Sequence, residues 1–205
     1  MSKAYEFARP VLGTKVPADR CWIHEVKHDG YRLRVERDGQ RVCLISKGGH
    51  DFTDRYPWIV EAALQNRVSQ FVIDGEAVVL GPDGISDFDA LQSRRRDNDV
   101  QLYAFDVMAM DGEDVRQLPL SMRKALLDRL LGKQAEGMFM ATFERGDAGP
   151  VLFSAAVSMG LEGFVSKRMD RAYRAGRCDH WIKVKNHQHP SIVRVKRAFA
   201  TKKAI

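Results

Sequence analysis

Five short strings in this chain carry lysines, carboxylates and aromatic side chains at spacings that suit phosphoryl chemistry. The first is Glu25-Val26-Lys27-His28-Asp29-Gly30. A β-prone run, Trp22 to Val26, leads into a tight turn where Gly30 permits close backbone approach. Alternation along the run sets Glu25 and Lys27 on one face. An amine there becomes a nucleophile when burial or neighbouring positive charge lowers its pKa from about 10.4. A Lys-x-Asp-Gly string standing alone is most often a surface turn.

The second string is Phe71-Val72-Ile73-Asp74-Gly75-Glu76-Ala77-Val78-Val79. Asp74 and Glu76 are two residues apart and point to one face of an otherwise apolar strand. Charges in such a strand are costly unless they are paired or bind a cation; the alternative is a half-exposed strand with its acids in water. The third string, Leu102-Tyr103-Ala104-Phe105-Asp106-Val107, places Tyr103 and Phe105 on one face. Core packing is the ordinary fate of such aromatics, and stacking on a planar base is the functional one. The fourth runs from Leu161-Glu162-Gly163 to Ser166-Lys167, followed by Tyr173-Arg174-Ala175-Gly176-Arg177. The fifth is Trp181-Ile182-Lys183-Val184-Lys185. Its two same-side lysines fit a phosphate chain, or else guard an exposed edge strand.

The elements that must position these residues are legible. Tyr31 to Glu36 and Arg41 to Ser46 read as a hairpin closed by Asp38-Gly39. Pro57 to Asn66 reads as a helix with Pro57 in its first turn. Phe71 to Leu80 reads as a strand ending at the Gly81-Pro82-Asp83-Gly84 turn. Ile85 to Ser93 reads as a short helix and Leu102 to Met108 as a strand. Ser121 to Leu131 reads as an amphipathic helix with Ser121 as N-cap and Gly132 as stop. Met138 to Phe143 is a predicted strand and Pro150 to Met159 a predicted helix. Phe164 to Lys167 and Trp181 to Lys185 are predicted short strands. The fold class is α+β, with mostly antiparallel sheets flanked by helices.

At 205 residues the chain fits one domain with small extensions. It has no apolar run near the ~18 residues of a membrane helix, and no signal-peptide core near its N-terminus. A cytoplasmic protein with no membrane partner is expected. Cys21, Cys43 and Cys178 form no CxxC pair, so neither a disulfide framework nor a zinc site is expected. The net charge is +6. From Arg171 to Ile205 there are ten Lys or Arg and one acid, Asp179. A basic C-terminal region points to a polyanionic partner or to a solvated tail.

The order Lys-x-Asp-Gly-x-x-Arg, Asp-Gly-Glu, Tyr-x-Phe-Asp, Glu-Gly-x-x-x-Lys, Trp-x-Lys-x-Lys resembles the ordered motifs of covalent nucleotidyltransferases. It is most similar to the ATP-dependent DNA ligases, especially those of bacterial end-joining systems. The resemblance covers residues 5 to 186. It implies a ligase-type (ATP-grasp-like) adenylation domain over residues 1–186, followed by a basic tail over 187–205. Lys27 would attack the α-phosphate of ATP and hold AMP. Glu25 would contact the adenine edge, Phe105 would stack on adenine, and Arg32 would bind the nucleotide or the 5′-phosphate side of a nick. Glu76 would hold the ribose or a metal, and Glu162 would bind Mg²⁺, with Mn²⁺ as a substitute. Lys183 and Lys185 would grip the phosphates with help from Lys167. Lys47, Arg174 and Arg177 are the expected DNA contacts, on nicked or broken duplex DNA.

Two departures stand out. Ser46-Lys47-Gly48-Gly49 replaces the family's usual Ser-Arg-x-Gly, keeping the charge but losing the bidentate fork. Members normally continue into an OB-fold domain, whose five strands alone need roughly 25–30 residues. Only twenty residues follow Lys185, so the expectation is an adenylation domain served by a partner that supplies an OB-fold or another DNA clamp. The rival readings are an RNA ligase or capping-type nucleotidyltransferase, and a non-catalytic DNA-binding remnant.

Overall fold

The Asp-Gly signal does produce a hairpin, but the two turn residues are Gly39 and Gln40, because Asp38 pairs with Arg41. Gly39 takes the left-handed conformation that the turn requires (φ 60°). The computed structural model describes residues 5–132, 136–192 and 194. In chain order its elements are β1 (Ala8–Leu12), β2 (Trp22–Val26), β3 (Tyr31–Asp38), β4 (Arg41–Ser46), α1 (Pro57–Gln65), β5 (Gln70–Val78), α2 (Phe88–Ser93), β6 (Gln101–Met110), β7 (Glu113–Asp114), α3 (Leu120–Leu131), β8 (Met138–Met140), β9 (Phe143–Arg145), α4 (Gly149–Ser158), β10 (Gly163–Arg168) and β11 (Gly176–Lys185).

The strands form two sheets. One has the order β1-β11-β10-β2-β9; the other runs β4-β3-β5-β6-β7, with β8 pairing β6. Pairing is antiparallel except for β1 with β11 and β6 with β8. The predicted α+β class with antiparallel sheets flanked by helices therefore holds. The outer face of the second sheet packs on α1 and α3 through Leu33, Ile59, Ile73, Leu102, Leu127 and Leu130. Between the sheets lie Ala8, Val72, Met108, Cys178 and Trp181. The outer face of the first sheet is covered by α4, where Ala156 meets Phe164 and Val184. Each fully buried Leu or Ile side chain contributes about 1.5–3 kcal/mol of transfer free energy.

Several sequence expectations need correction. Ser121 does not cap α3, whose N-cap is Pro119 with no side-chain cap bond. The first amides of α3 are satisfied instead from the 170s loop: Leu120 N donates to Arg171 O and Ser121 N to Met169 O. Tertiary carbonyls thus replace the local cap. The helix expected from Ile85 starts at Phe88, where Asp87 accepts from Ala90 N. The run Met138 to Phe143 divides into β8 and β9, which join different sheets. β1 was not foreseen; it contains Pro10 and pairs on one side only, as Pro requires.

Asp106, the acid of the Tyr-x-Phe-Asp string, is structural. Its carboxylate receives Arg123 Nε at 2.7 Å and Nη2 at 2.9 Å, and both side chains are fully buried. Arg123 also donates to Leu118 O and Arg171 O. This fork ties α3 and the 170s loop to β6, so that all four Arg123 contacts leave no buried charge unpaired.

Candidate active site

A cleft of about 520 Å³ opens between the two sheets. Glu25, Lys27 and Lys167 reach it from β2, the turn after it, and β10. Lys183 and Lys185 reach it from β11, as does Trp181. The second sheet supplies Arg32, Glu76 and Phe105, and the loop after β4 supplies Lys47. Glu162 adjoins the cleft at a smaller depression shared with Lys27 and Lys185. The strings scattered over 160 residues therefore converge on one place.

Two glycines make the approach possible. A Cβ on Gly30 would lie 2.2 Å from Ala77 O, so the Lys27–Gly30 turn sits directly on β5. Gly163 has φ 143°, and a Cβ there would lie 2.1 Å from Val184 O. Gly163 O in turn accepts from Lys27 N at 2.8 Å, which sets the lysine beside Glu162.

Lys27 Nζ donates to Glu162 Oε2 at 2.5 Å, and Lys185 Nζ lies 3.3 Å from Glu162 Oε1. Glu162 is 4% exposed. Burial pushes its carboxyl up, but Lys27 and Lys185 outweigh it and hold the group below the usual range. Glu76 behaves in the opposite way: burial pushes it up to about 7, against the pull of Lys27 and Arg32 and with the push of Glu162. Lys183 is lowered by burial and by Lys47, Lys185 and Lys27 around it. Four cations gathered in this way suit a polyanion.

Arg32 is held rigidly. Its Nε and Nη2 donate to the two Asp74 oxygens at 2.9 and 2.6 Å, and Nη1 donates to Ala8 O. The Tyr173 hydroxyl donates to Asp74 Oδ2 at 2.7 Å while accepting from Ala8 N. Asp74 is thus a positioning group, and Tyr173 braces it from 99 residues away.

The placement of Lys167 corrects its expected role. It does not stand with the phosphate lysines. Its ammonium is 1% exposed, 2.6 Å from Glu25 Oε2, and 4.0 and 4.1 Å from the ring centres of Phe105 and Trp181. Burial pushes it down to about 8, against Glu25. The β10 register that pairs Lys167 with Ile23 points it into the space between the sheets, at the Glu25 end. Of the two aromatics, Phe105 lines the cleft. Tyr103 is taken up by His28, with ring centres 4.7 Å apart, and by Phe139 at 5.7 Å.

His28 carries a pH dependence. Burial lowers its imidazole to about 4, with Glu25 opposing and Lys27 assisting. The unfolded chain takes up this proton near pH 6.5 and the folded protein does not until about pH 4. Its contribution to stability is therefore present above pH 6.5 and is lost as pH falls towards 4, by up to ~3 kcal/mol. In urea titrations between pH 7.5 and 4.5, His28→Gln should flatten the fall in midpoint; an unchanged slope would remove His28 as its source.

The family model described as "ATP dependent DNA ligase domain" matches residues 13–185. The chain belongs to the ATP-dependent DNA ligase domain family. This ligase domain is 35% identical over 185 residues to the multifunctional non-homologous end joining protein LigD of Pseudomonas aeruginosa, covering 88% of the chain and 22% of that protein. It is 34% identical over 175 residues to a probable DNA ligase of Streptomyces coelicolor, covering 78% of the chain and 34% of that protein. A solved mycobacterial DNA ligase D, complexed with ATP and MES, superposes with a TM-score of 0.76 at 33% identity, over 88% of this chain and 60% of that one. The chain thus spans about a fifth of the length of the LigD relative.

The expected DNA contacts of the ligase domain are divided. Lys47 lines the nucleotide cleft, with its amide donating to Arg32 O. Arg174 lies elsewhere, in an open depression of about 1080 Å³, 3.6 Å from Asp179. That depression is larger than the cleft but is lined by none of Lys27, Glu76, Glu162, Lys183 and Lys185. Arg177 is exposed on β11 opposite Arg9 of β1. Neither arginine lines the cleft that holds Lys27.

Asn186, the last residue of the expected domain, is tied down. Asn186 N donates to Glu162 O, and its side-chain amide donates to Leu161 O. A helical turn from Pro190 follows, and Arg194 pairs with Asp29 of the turn after β2. Residues 193 and 195–205 of the expected tail lie outside the described residues.

Glu76 and Glu162 offer hard oxygen ligands of the kind Mg²⁺ takes. Among the described residues no group of three or more His, Cys, Asp or Glu forms a metal cluster. Two carboxylates beside a phosphate site still fit Mg²⁺, which usually takes one or two carboxylates together with phosphate oxygens and water. Asp74 and Tyr173 were missed in the sequence as positioning groups for Arg32; their partners are remote, and no local spacing signals them.

Proposed function

We propose that this chain catalyses ATP-dependent joining of DNA strands through an AMP carried on Lys27. The observation that supports it most is the Lys27–Glu162–Lys185 cluster at a cleft whose other walls hold Arg32, Glu76 and Phe105. In the first step the Lys27 amine forms a bond to the α-phosphorus of ATP and the bond to pyrophosphate breaks. A DNA 5′-phosphate oxygen then takes the AMP from Lys27. A 3′-hydroxyl finally attacks that 5′-phosphorus, forms the phosphodiester and releases AMP.

Within this reading Glu25 contacts the adenine edge and Phe105 stacks on the base. Glu76 holds the ribose or Mg²⁺, and Glu162 orients Lys27 and holds Mg²⁺. Mg²⁺ supplies charge neutralisation at the phosphates. Lys183 and Lys185 grip the phosphates, Lys47 extends that grip, and Arg32 meets the nucleotide or the 5′-phosphate. Sealing also calls for a clamp around the duplex, such as an OB-fold, in the same polypeptide or in a partner. Work on DNA accords with a cytoplasmic location, and no helix of the described residues is long and apolar enough to cross a membrane.

The test has two arms. With α-labelled ATP and Mg²⁺, an acid-labile label should appear on the protein, and the labelled protein should then seal a nicked duplex. Labelling by GTP in preference to ATP would favour a capping enzyme. Sealing of nicked RNA but not of nicked DNA would favour an RNA ligase, and no label at all would favour a binding remnant.

A further inference from the structure

Lys124 stands on α3, outside every string considered above, and does not line the cleft. A lysine in the second turn of a surface helix ordinarily points to water. Here it is 4% exposed, and its Nζ lies 2.5 Å from Glu25 Oε1 and 4.9 Å from the ring centre of Phe143. Glu25, itself 3% exposed, has its other oxygen 2.6 Å from Lys167. One carboxylate is therefore held at both oxygens by two buried ammonium groups. The neighbouring acid, Asp106, is committed to Arg123.

The consequence is chemical. A carboxylate paired with an ammonium group at each oxygen presents hydrogen-bond acceptors to a third partner. Its remaining lone pairs suit a base edge that donates, such as the amino group of adenine. The keto oxygen of guanine would place acceptor against acceptor. The direction of those lone pairs depends on where the carboxylate plane is pinned. Lys167 is shared with Phe105 and Trp181, so the second pin comes from α3.

We propose that Lys124 is a specificity-determining positioning residue: it fixes the Glu25 carboxylate so that the site selects an adenine nucleotide over a guanine nucleotide. This rests on the reading that Glu25 contacts the base.

Self-labelling is measured with ATP and with GTP for the wild type, Lys124→Met, Lys124→Arg, Glu25→Gln and Glu25→Gln/Lys124→Met. Lys124→Met should raise KM for ATP about tenfold or more, with kcat little changed and KM for GTP unmoved. Lys124→Arg should restore most of the preference. A loss that falls equally on ATP and GTP, or on kcat alone, would show a merely structural lysine and overturn the proposal. If Glu25→Gln collapses the preference while Lys124→Met keeps it, Lys124 has no part in specificity. If Glu25→Gln itself keeps the preference, the base-reading role of Glu25 falls, and the inference with it. Should Lys124→Met fail to fold, the double variant decides: its constants must match those of Glu25→Gln, and any further change on adding the second substitution counts against the proposal.

Discussion

Lys27→Ala should abolish covalent labelling by ATP while the protein keeps its fold. The wild type should reach one AMP per chain. Lys27 is half-buried and makes one side-chain bond, to Glu162. After its removal Glu162 still faces Lys185 at 3.3 Å, so no buried charge is left without a counterion. Thermal unfolding should therefore stay within a few degrees of wild type, on the scale of about 1 kcal/mol or less. Lys27→Arg should be as inactive, because a guanidinium does not give up its proton and cannot attack phosphorus. The measurement is labelled AMP per chain after denaturing electrophoresis, with a melting curve for each variant. Labelling that survives either substitution would move the nucleophile elsewhere, and the cleft lysines 183 and 185 would be the next to test.

Glu162→Ala should lower the labelling rate by about 10²–10⁴-fold with the fold intact, an effect of the size seen when positioning or electrostatic groups are removed. In the wild type the carboxylate holds Lys27 Nζ at 2.5 Å and neutralises Lys185. Its loss leaves Lys27, Lys185 and Lys183 near one another without the carboxylate that pairs two of them, and Glu76, across the cleft, is pushed up to about 7 by burial. The amine would then lose its aim, and the phosphates would meet a less ordered set of cations. Single-turnover labelling across a Mg²⁺ series separates two contributions. A rate that recovers at high Mg²⁺ assigns Glu162 chiefly to the cation; a rate that stays low at every concentration assigns it chiefly to orienting Lys27. A wild-type rate in this variant would remove Glu162 from the site altogether.

The local chemistry was readable because strands have a period of two. The run Trp22 to Val26, the apolar strand around Asp74 and Glu76, and the alternating Trp181, Lys183 and Lys185 declared their shared faces without any tertiary information. The order of the five strings identified the family, and the glycine of Lys-x-Asp-Gly announced the close approach that Gly30 makes; that of Gly163 emerged only with the fold. Boundaries were less legible, since α3 takes its cap from the 170s loop rather than from Ser121.

Which faces meet was decided only by the packing of one sheet on the other. Lys124 lies 99 residues from Glu25 along the chain and 2.5 Å from it in space. Tyr173 reaches Asp74 across 99 residues, and Arg194 returns to Asp29 across 165. Lys167 shows the limit most clearly. Its string grouped it with the phosphate lysines, yet the register of β10 against β2 buried it beside Glu25. Arg174 shows the converse: it is basic and close in sequence to the site, but it opens onto a different face. The sequence by itself determined which groups are present and which lie side by side on one strand. A charge buried between two sheets must find its counterion across the gap, so the tertiary structure alone decided which lysines pair with Glu162 and which pair with Glu25.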